Sequence, residues 1–349
     1  MRKIQIGIVG YGNIGRGAVN VLASSTDMEL KAVFTRREKD SISVGDKSGI
    51  SFLPISSAEQ MTGEIDVMLL CGGSAADLPE QGPYFASMFN TVDSYDTHAK
   101  IPEYMASIDA VAKNTTSIIS AGWDPGPFSM MRSLFRSILP NGKTYTFWGK
   151  GVSQGHSNAI RRIKGVTNAI QYTIPIDSAV EAVRNGDMPD LTPGQSMVRE
   201  CFVVAEPGAD KAEIEASIKT MPHYFAGYDT TVNFISDDDF TANHLKMLHG
   251  GMVIHTGTTG GNACGNNGEG MNYCTCGSPD NEKHGNNHVM EFSLKLDSNP
   301  EFTASIMISY ARAAYRLSRE GSFGAKTVFD VPVSYLSEKN RLDIIKELL

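Results

Sequence analysis

Ile4-Gln5-Ile6-Gly7-Ile8-Val9-Gly10-Tyr11-Gly12-Asn13-Ile14-Gly15 decides the fold of this chain. Its first six residues form a short, largely β-branched apolar run, the composition of a buried strand. Gly10, Gly12 and Gly15 then spell G-x-G-x-x-G, and Ile14, Ala18, Val21 and Leu22 continue at helical spacing. Strand, glycine turn and helix are the context in which this motif cradles a dinucleotide. Gly10 permits the tight turn, Gly12 lets the backbone approach a pyrophosphate, and Gly15 lets the helix sit close to the strand. Tyr11, Asn13 and Ile14 complete a loop whose amides and helix dipole are placed to meet phosphate.

Outward from this motif the pattern repeats. Strands are predicted at Leu30–Phe34, Asp66–Cys71, Thr91–Asp93 and Ser117–Ser120, with helical or irregular stretches between them. Alternating β and α elements imply an α/β fold, a Rossmann-like doubly wound parallel sheet over residues 1–124. At the end of the second strand an NAD site calls for Asp or Glu, to accept from the ribose 2′-hydroxyl. Thr35-Arg36-Arg37 stands there instead. Two guanidinium groups and a hydroxyl suit a 2′-phosphate, so the cofactor expected is NADP.

After Gly122-Trp123-Asp124-Pro125-Gly126-Pro127 the pattern changes. Strands are predicted at Tyr145–Lys150, Ala169–Ile174, Val198–Ala205, Thr230–Ile235 and Val289–Leu296, several without a crossover helix between them. Residues 125–324 therefore read as a second, α+β domain carrying a mainly antiparallel sheet. Within it, Pro300–Leu317 has the spacing of a long buried helix opened by Asn299-Pro300, and residues 257–287 read as one long polar loop. Residues 325–349, ending in a helix over Glu338–Leu349, are expected to return and complete the first domain.

The 349 residues favour two domains with a cleft between them. A balance of 31 basic against 39 acidic residues, net −8, argues against nucleic acid or an anionic membrane as partner. No run of about 18 apolar residues offers a membrane span, and Ile4–Val9 is too short for a signal-peptide core, so the expected compartment is the cytoplasm. Five cysteines, an odd number in a chain of this size, read as reduced thiols.

Several further stretches carry a resemblance: Asp93-Ser94-Tyr95-Asp96, Gly122-Trp123-Asp124-Pro125-Gly126, Thr146-Phe147-Trp148-Gly149, Ser153-Gln154-Gly155-His156-Ser157, Gln171-Tyr172-Thr173 and Cys201-Phe202-Val203-Val204. Together with the glycine motif and Thr35-Arg36-Arg37, they make a sequence that resembles the meso-diaminopimelate dehydrogenase family over nearly its whole length. The resemblance implies NADP-dependent, reversible oxidative deamination of the D-centre of meso-2,6-diaminopimelate to L-2-amino-6-oxopimelate and ammonia, a step of lysine and diaminopimelate biosynthesis. It also implies a homodimer, with residues 125–324 serving substrate binding and dimerisation. Beyond the phosphate loop it assigns the cofactor to Cys71, Gly72, Gly73, Ser74, Ser94, Tyr95, Ala121, Gly122 and Pro125. It assigns the substrate to Asp96, Trp123, Asp124, Trp148, Gln154, Gly155, Thr173, Arg199, His249 and Asn299.

The chemistry of these residues agrees with that assignment. The substrate carries two carboxylates and two ammonium groups, so it needs acidic residues at one place and cationic donors at another. Asp96 and Asp124 each follow a predicted parallel strand, at the edge where open α/β sheets bind ligands, and are the catalytic candidates. Asp93 is a rival for the place of Asp96. Arg199 suits a bidentate grip on the distal carboxylate, with Thr173, His249 and Asn299 adding hydrogen bonds. A reductase of a related lysine-pathway intermediate, or a non-catalytic NADPH-sensing regulator, would share the first domain. The paired aspartates have no purpose in the sensor. Cys264, Cys274, Cys276 and His284 sit in the polar loop, but Cys-x-Cys is tighter than the usual zinc spacing, and no metal is expected.

Overall fold

The computed structural model describes residues 2–37, 49–260 and 285–349. In chain order the elements open with β1 (Ile4–Val9), α1 (Asn13–Leu22), β2 (Met28–Thr35), β3 (Phe52–Pro54), β4 (Val67–Leu70), α2 (Leu78–Ala86), β5 (Asn90–Asp93), α3 (Ile101–Val111) and β6 (Thr116–Ile118). They continue with α4 (Pro127–Ile138), β7 (Gly142–Trp148), β8 (Gly151–Val152), α5 (Gln154–Ile160), β9 (Val166–Pro175), α6 (Asp177–Arg184), α7 (Pro193–Ser196), β10 (Met197–Ala205), α8 (Lys211–Lys219), β11 (Thr230–Phe234) and α9 (Asp237–Asn243). The chain closes with β12 (His249–Thr259), β13 (Asn286–Leu296), α10 (Asn299–Arg319), β14 (Gly324–Lys326) and α11 (Arg341–Leu348). Two compact units result, Met1–Met130 with Pro300–Leu349, and Met131–Asn299.

The first unit is built on one seven-stranded sheet ordered β14-β6-β5-β4-β1-β2-β3, every neighbour parallel. Its central strands are buried on both faces, which is why Val67–Leu70 reads as a continuous apolar run rather than an alternation. Strand order reverses between β1 and β4, and such a switch point is where ligands bind in open α/β sheets. Two three-residue strands, β3 and β14, escaped the sequence reading because they are too short for any periodicity.

The expected return at residue 325 begins earlier. α10 belongs to the first unit from Pro300 onward, not to the second domain. Its Ala304, Ala311 and Ala314 let the helix lie close to the sheet, where Met307, Ile308 and Tyr310 join a core with Ile6, Ile8 and Ala18. Arg312, also on α10, is buried and grips Asp27 at 2.6 and 2.9 Å while donating to the Leu336 carbonyl. α11, expected to pack back on the first domain, lies in that unit yet buries none of its residues. β14 and α10 make the return instead.

The second unit holds two sheets. The four-stranded one is ordered β11-β10-β9-β8 and the three-stranded one β13-β12-β7. All their pairings are antiparallel except β10 with β11, which α8 connects as a crossover. β12 went unread because Gly250, Gly251 and Gly257 interrupt its alternation. Of the residues read as the polar loop 257–287, Gly257–Thr259 instead end β12 and Asn286–Asn287 begin β13. Cys264, Cys274, Cys276 and His284 lie outside the described residues. Among the described residues no helix is long and apolar enough to cross a membrane.

Candidate active site

In the first unit the glycine motif forms the turn that its spacing predicts. Gly10 holds φ at +93°, a left-handed conformation that a side chain would strain. A Cβ on Gly15 would fall 2.1 Å from the Gly10 carbonyl oxygen, so only glycine lets α1 begin this close to β1. The side of Gly12 is open, with nothing within 4 Å of a built Cβ. α1 has no side-chain cap at Gly12 and no acidic residue in its first turn. A helix N-terminus beside open space fits a pyrophosphate.

Thr35 is buried at the end of β2 and its hydroxyl accepts from the Arg37 amide at 3.1 Å. The Arg36 and Arg37 side chains are exposed, and Arg36 reaches Asp77 Oδ1 at 2.8 Å. An exposed pair of this kind is worth about 1 kcal/mol or less, so a phosphate dianion can take its place. Asp77 also accepts from the Gly73 amide at 2.9 Å through Oδ2, fixing the turn after β4 that follows Cys71. Cys71 itself is buried, and burial pushes its thiol up to about 12, which makes it a packing residue and no nucleophile.

The loops after β4, β5 and β6 are tied together. The Ser74 hydroxyl accepts from the Asp96 amide at 3.0 Å, joining the Gly72–Ser74 turn to the Ser94–Asp96 loop. Asp93, the rival in the sequence reading, explains the next tie. It is fully buried and accepts from the amides of Tyr95 at 3.0 Å and Ser120 at 2.9 Å, and from the Tyr104 hydroxyl at 2.8 Å. Its own carbonyl accepts from the Ala121 amide at 2.7 Å. Asp93 thus staples the loop carrying Asp96 to the loop carrying Asp124, and its carboxyl has no free side for a ligand. Burial raises its pKa to about 6 against the lowering effect of those three donors. Tyr95, stacked on Tyr104 at 4.2 Å, is buried beside it.

Asp96 is exposed, and Asp124 is half-buried ahead of a cis bond to Pro125. Ala121, Gly122 and Pro125 are buried around it, and Ser94 lies beside Gly122, 3.6 Å from where a Cβ would stand. Trp123 is buried edge-on against Phe128 at 5.2 Å. Two carboxylates therefore stand at the carboxyl edge of the sheet, on loops that also carry the candidate cofactor residues.

The second unit presents a different chemistry. Arg199, on β10, is directly opposite Thr173 on β9, and its Nη1 donates to the Thr173 hydroxyl. Arg199 is buried, its Nε has no hydrogen-bond partner, and no ion pair to a carboxylate forms among the described residues. A buried cation without a counter-anion is costly unless a ligand supplies one, which marks this place as an anion site. Gln171, two residues before Thr173 on the same face, is buried and donates to the Thr173 hydroxyl at 3.3 Å. His156, at the start of α5, bonds Ser153 through Nδ1. Burial and the Arg199 cation push it down to about 4, so it stays neutral near pH 7.

The remaining candidates of this unit lie at element ends. Trp148 ends β7 with 36% exposure, not in the core. Gln154 and Gly155 open α5 and are exposed, and Gln154 approaches the Met247 sulfur at 3.6 Å. His249 begins β12 with its ring fixed by the Gly250 amide, 2.7 Å from Nδ1, and burial lowers its pKa. Gly151 leaves the space that this ring needs, since a Cβ there would meet it at 2.6 Å. Asn299 starts α10 and donates its amide to the Met247 carbonyl at 3.0 Å. His156, Gln171 and Asp77 are site elements that sequence reasoning did not assign, and Asp93 was read there only as a rival for the place of Asp96, not as an anchor. Gln171 left a signal of its own, a polar residue on the same face of β9 as Thr173.

Comparison with known proteins adds the identity that geometry leaves open. Residues 122–273 match the model of the diaminopimelic acid dehydrogenase C-terminal domain. The meso-diaminopimelate D-dehydrogenase of Ureibacillus thermosphaericus is 54% identical over 100% of both chains. Among solved structures, the DAP dehydrogenase of Corynebacterium glutamicum in complex with DAP is 41% identical with a TM-score of 0.86, covering 100% of both chains. An engineered D-amino acid dehydrogenase bound to NADP+ is 39% identical with a TM-score of 0.81, covering 99% of this chain and 100% of its own. The chain belongs to the meso-diaminopimelate D-dehydrogenase family.

Proposed function

We propose that the protein catalyses the reversible, NADP-dependent oxidative deamination of the D-centre of meso-2,6-diaminopimelate, giving L-2-amino-6-oxopimelate and ammonia. Identity of 54% over the whole of both chains with a relative of that name carries the reading. When bound, NADP+ accepts the hydride that leaves the D-configured carbon. The first unit's residues do the rest at the reacting end. Asp96 and Asp124 hold the ammonium and favour its approach, and the amine must lose a proton before hydride can leave. That proton passes to the carboxylate pair or to water held by it. Water then adds to the resulting imine and ammonia departs, which balances the reaction.

The phosphate loop Gly10–Gly15 with Thr35, Arg36 and Arg37 is assigned to NADP, together with Cys71–Ser74, Ser94, Tyr95, Ala121, Gly122 and Pro125. Arg199 and Thr173 are assigned to the distal carboxylate, with Trp123, Trp148, Gln154, Gly155, His249 and Asn299 completing the substrate residues. Domain roles, a homodimer and a cytoplasmic location belong to the same proposal. Stereoisomers test it: NADPH should form with the meso isomer, not with the LL isomer, and far more slowly with DD. Equal rates on all three, or none, would overturn it.

A further inference from the structure

The geometry points to Tyr228 as the positioning residue that sets the grip on the distal carboxylate, acting through Arg199. This rests on the assignment of Arg199 to that carboxylate. The Arg199 guanidinium carbon stands 4.1 Å from the centroid of the Tyr228 ring, a cation–π contact, and the Tyr228 side chain is also hydrogen-bonded to the guanidinium. Tyr228 precedes β11 by two residues, and the Arg199 amide donates to the Asp229 carbonyl at 2.8 Å, so backbone and ring hold the same residue from one side. From the other side the Thr173 hydroxyl takes Nη1, and Gln171 fixes that hydroxyl. The remaining guanidinium edge has no carboxylate among the described residues, and Nε is buried without a partner.

Such an arginine has two requirements. Its plane must be fixed for a bidentate carboxylate contact, and its charge must be tolerated while the site is empty. Tyr228 meets both, because its ring attracts the cation without bringing a counter-charge and its hydroxyl, hydrogen-bonded to the guanidinium, helps fix the plane. A carboxylate partner would have met the second only by occupying the donors the substrate needs. His156 serves the same end: kept neutral by burial and by Arg199 itself, it adds no second cation and no counter-anion. Tyr228 therefore distinguishes substrates with a distal carboxylate from those without one.

Leucine at 228 removes the ring and phenylalanine keeps it. Tyr228→Leu should raise KM for meso-diaminopimelate about 10-fold while kcat and KM for NADP change by less than about twofold, and Tyr228→Phe, which keeps the ring but loses the hydroxyl's hydrogen bond, should fall between that variant and the unmodified protein. In an Arg199→Ala background the Leu substitution should add nothing, which a merely structural role would not produce. Pimelate, a dicarboxylate without amines, tests the grip apart from the chemistry, and its calorimetric Kd should follow the same order. Should Tyr228→Leu fail to fold, Tyr228→Met is measured in its place. Absence of turnover in the unmodified protein would count against the proposed activity, leaving pimelate binding to decide this inference. Unchanged KM and Kd in the ring-deleted variant, an equal loss in the Arg199→Ala background, or no pimelate binding by the unmodified protein would overturn it.

Discussion

Replacing Asp93 by alanine should disable the protein without touching a ligand. The change leaves two buried backbone amides, of Tyr95 and Ser120, without their acceptor, and frees the Tyr104 hydroxyl. An unsatisfied buried donor costs about 1–3 kcal/mol, so the two amides alone set a range of roughly 2–6 kcal/mol. Removing a carboxyl that burial already penalises offsets part of this, so the lower half of the range applies, about 3 kcal/mol. For a unit of this size that corresponds to a fall in Tm of roughly 6–12 °C. Turnover should fall further than stability, about 10²-fold, because the loops carrying Asp96 and Asp124 lose their common anchor. Asp93→Asn should keep both amides on Oδ1 and turn Nδ2 toward the tyrosine oxygen, at a cost of about 1 kcal/mol or less. Thermal melts and steady-state rates at pH 7 measure both effects. An Asp93→Ala protein that melts within 2 °C of the unmodified one and turns over at full rate would refute the staple.

Three further outcomes follow from the same geometry. Alanine at both Arg36 and Arg37 should raise KM for NADP about 30-fold, the equivalent of about 2 kcal/mol, and leave KM for NAD nearly unchanged, in coenzyme-titrated rates. Asp96→Asn and Asp124→Asn should each lower turnover by about 10²-fold while NADP binding and Tm hold, because asparagine keeps shape but not charge. His156 has its pKa lowered from 6.5 to about 4, so the folded state resists a proton that the unfolded chain accepts. Stability is then lost as pH falls from about 6.5 towards 4, and His156→Gln should flatten that part of the Tm profile. Asp93, raised from 3.8 to about 6, has the opposite slope, losing stability as pH rises across that window, so the profile must be compared between variants rather than read alone.

Legibility in the sequence followed from length and register. The first unit's core strands and the phosphate turn were readable because runs such as Val67–Leu70 and the fixed glycine spacing carry local signals. The three-residue strands β3 and β14 carry none, and β12 hides its alternation behind three glycines. α10 was found as a helix but placed in the wrong unit, since a small-residue face says that a helix packs closely without saying on what. Thr35-Arg36-Arg37 and the two aspartates were legible as chemistry. The anchoring roles of Asp93, read only as a rival of Asp96, and of Tyr228 were not, because an anchor is defined by what points at it: the amides of Tyr95 and Ser120 in one case, the Arg199 guanidinium in the other.

The central claim is which hydrogen leaves. Meso-2,6-diaminopimelate carrying deuterium only at the D-configured carbon should deliver that deuterium to NADP+, so that the reduced coenzyme gains one mass unit and the oxo product retains none. With deuterium only at the L-configured carbon, the coenzyme should stay unlabelled and the product should keep the label. Deuterium reaching the coenzyme from the L-carbon, or equally from both, would contradict the account.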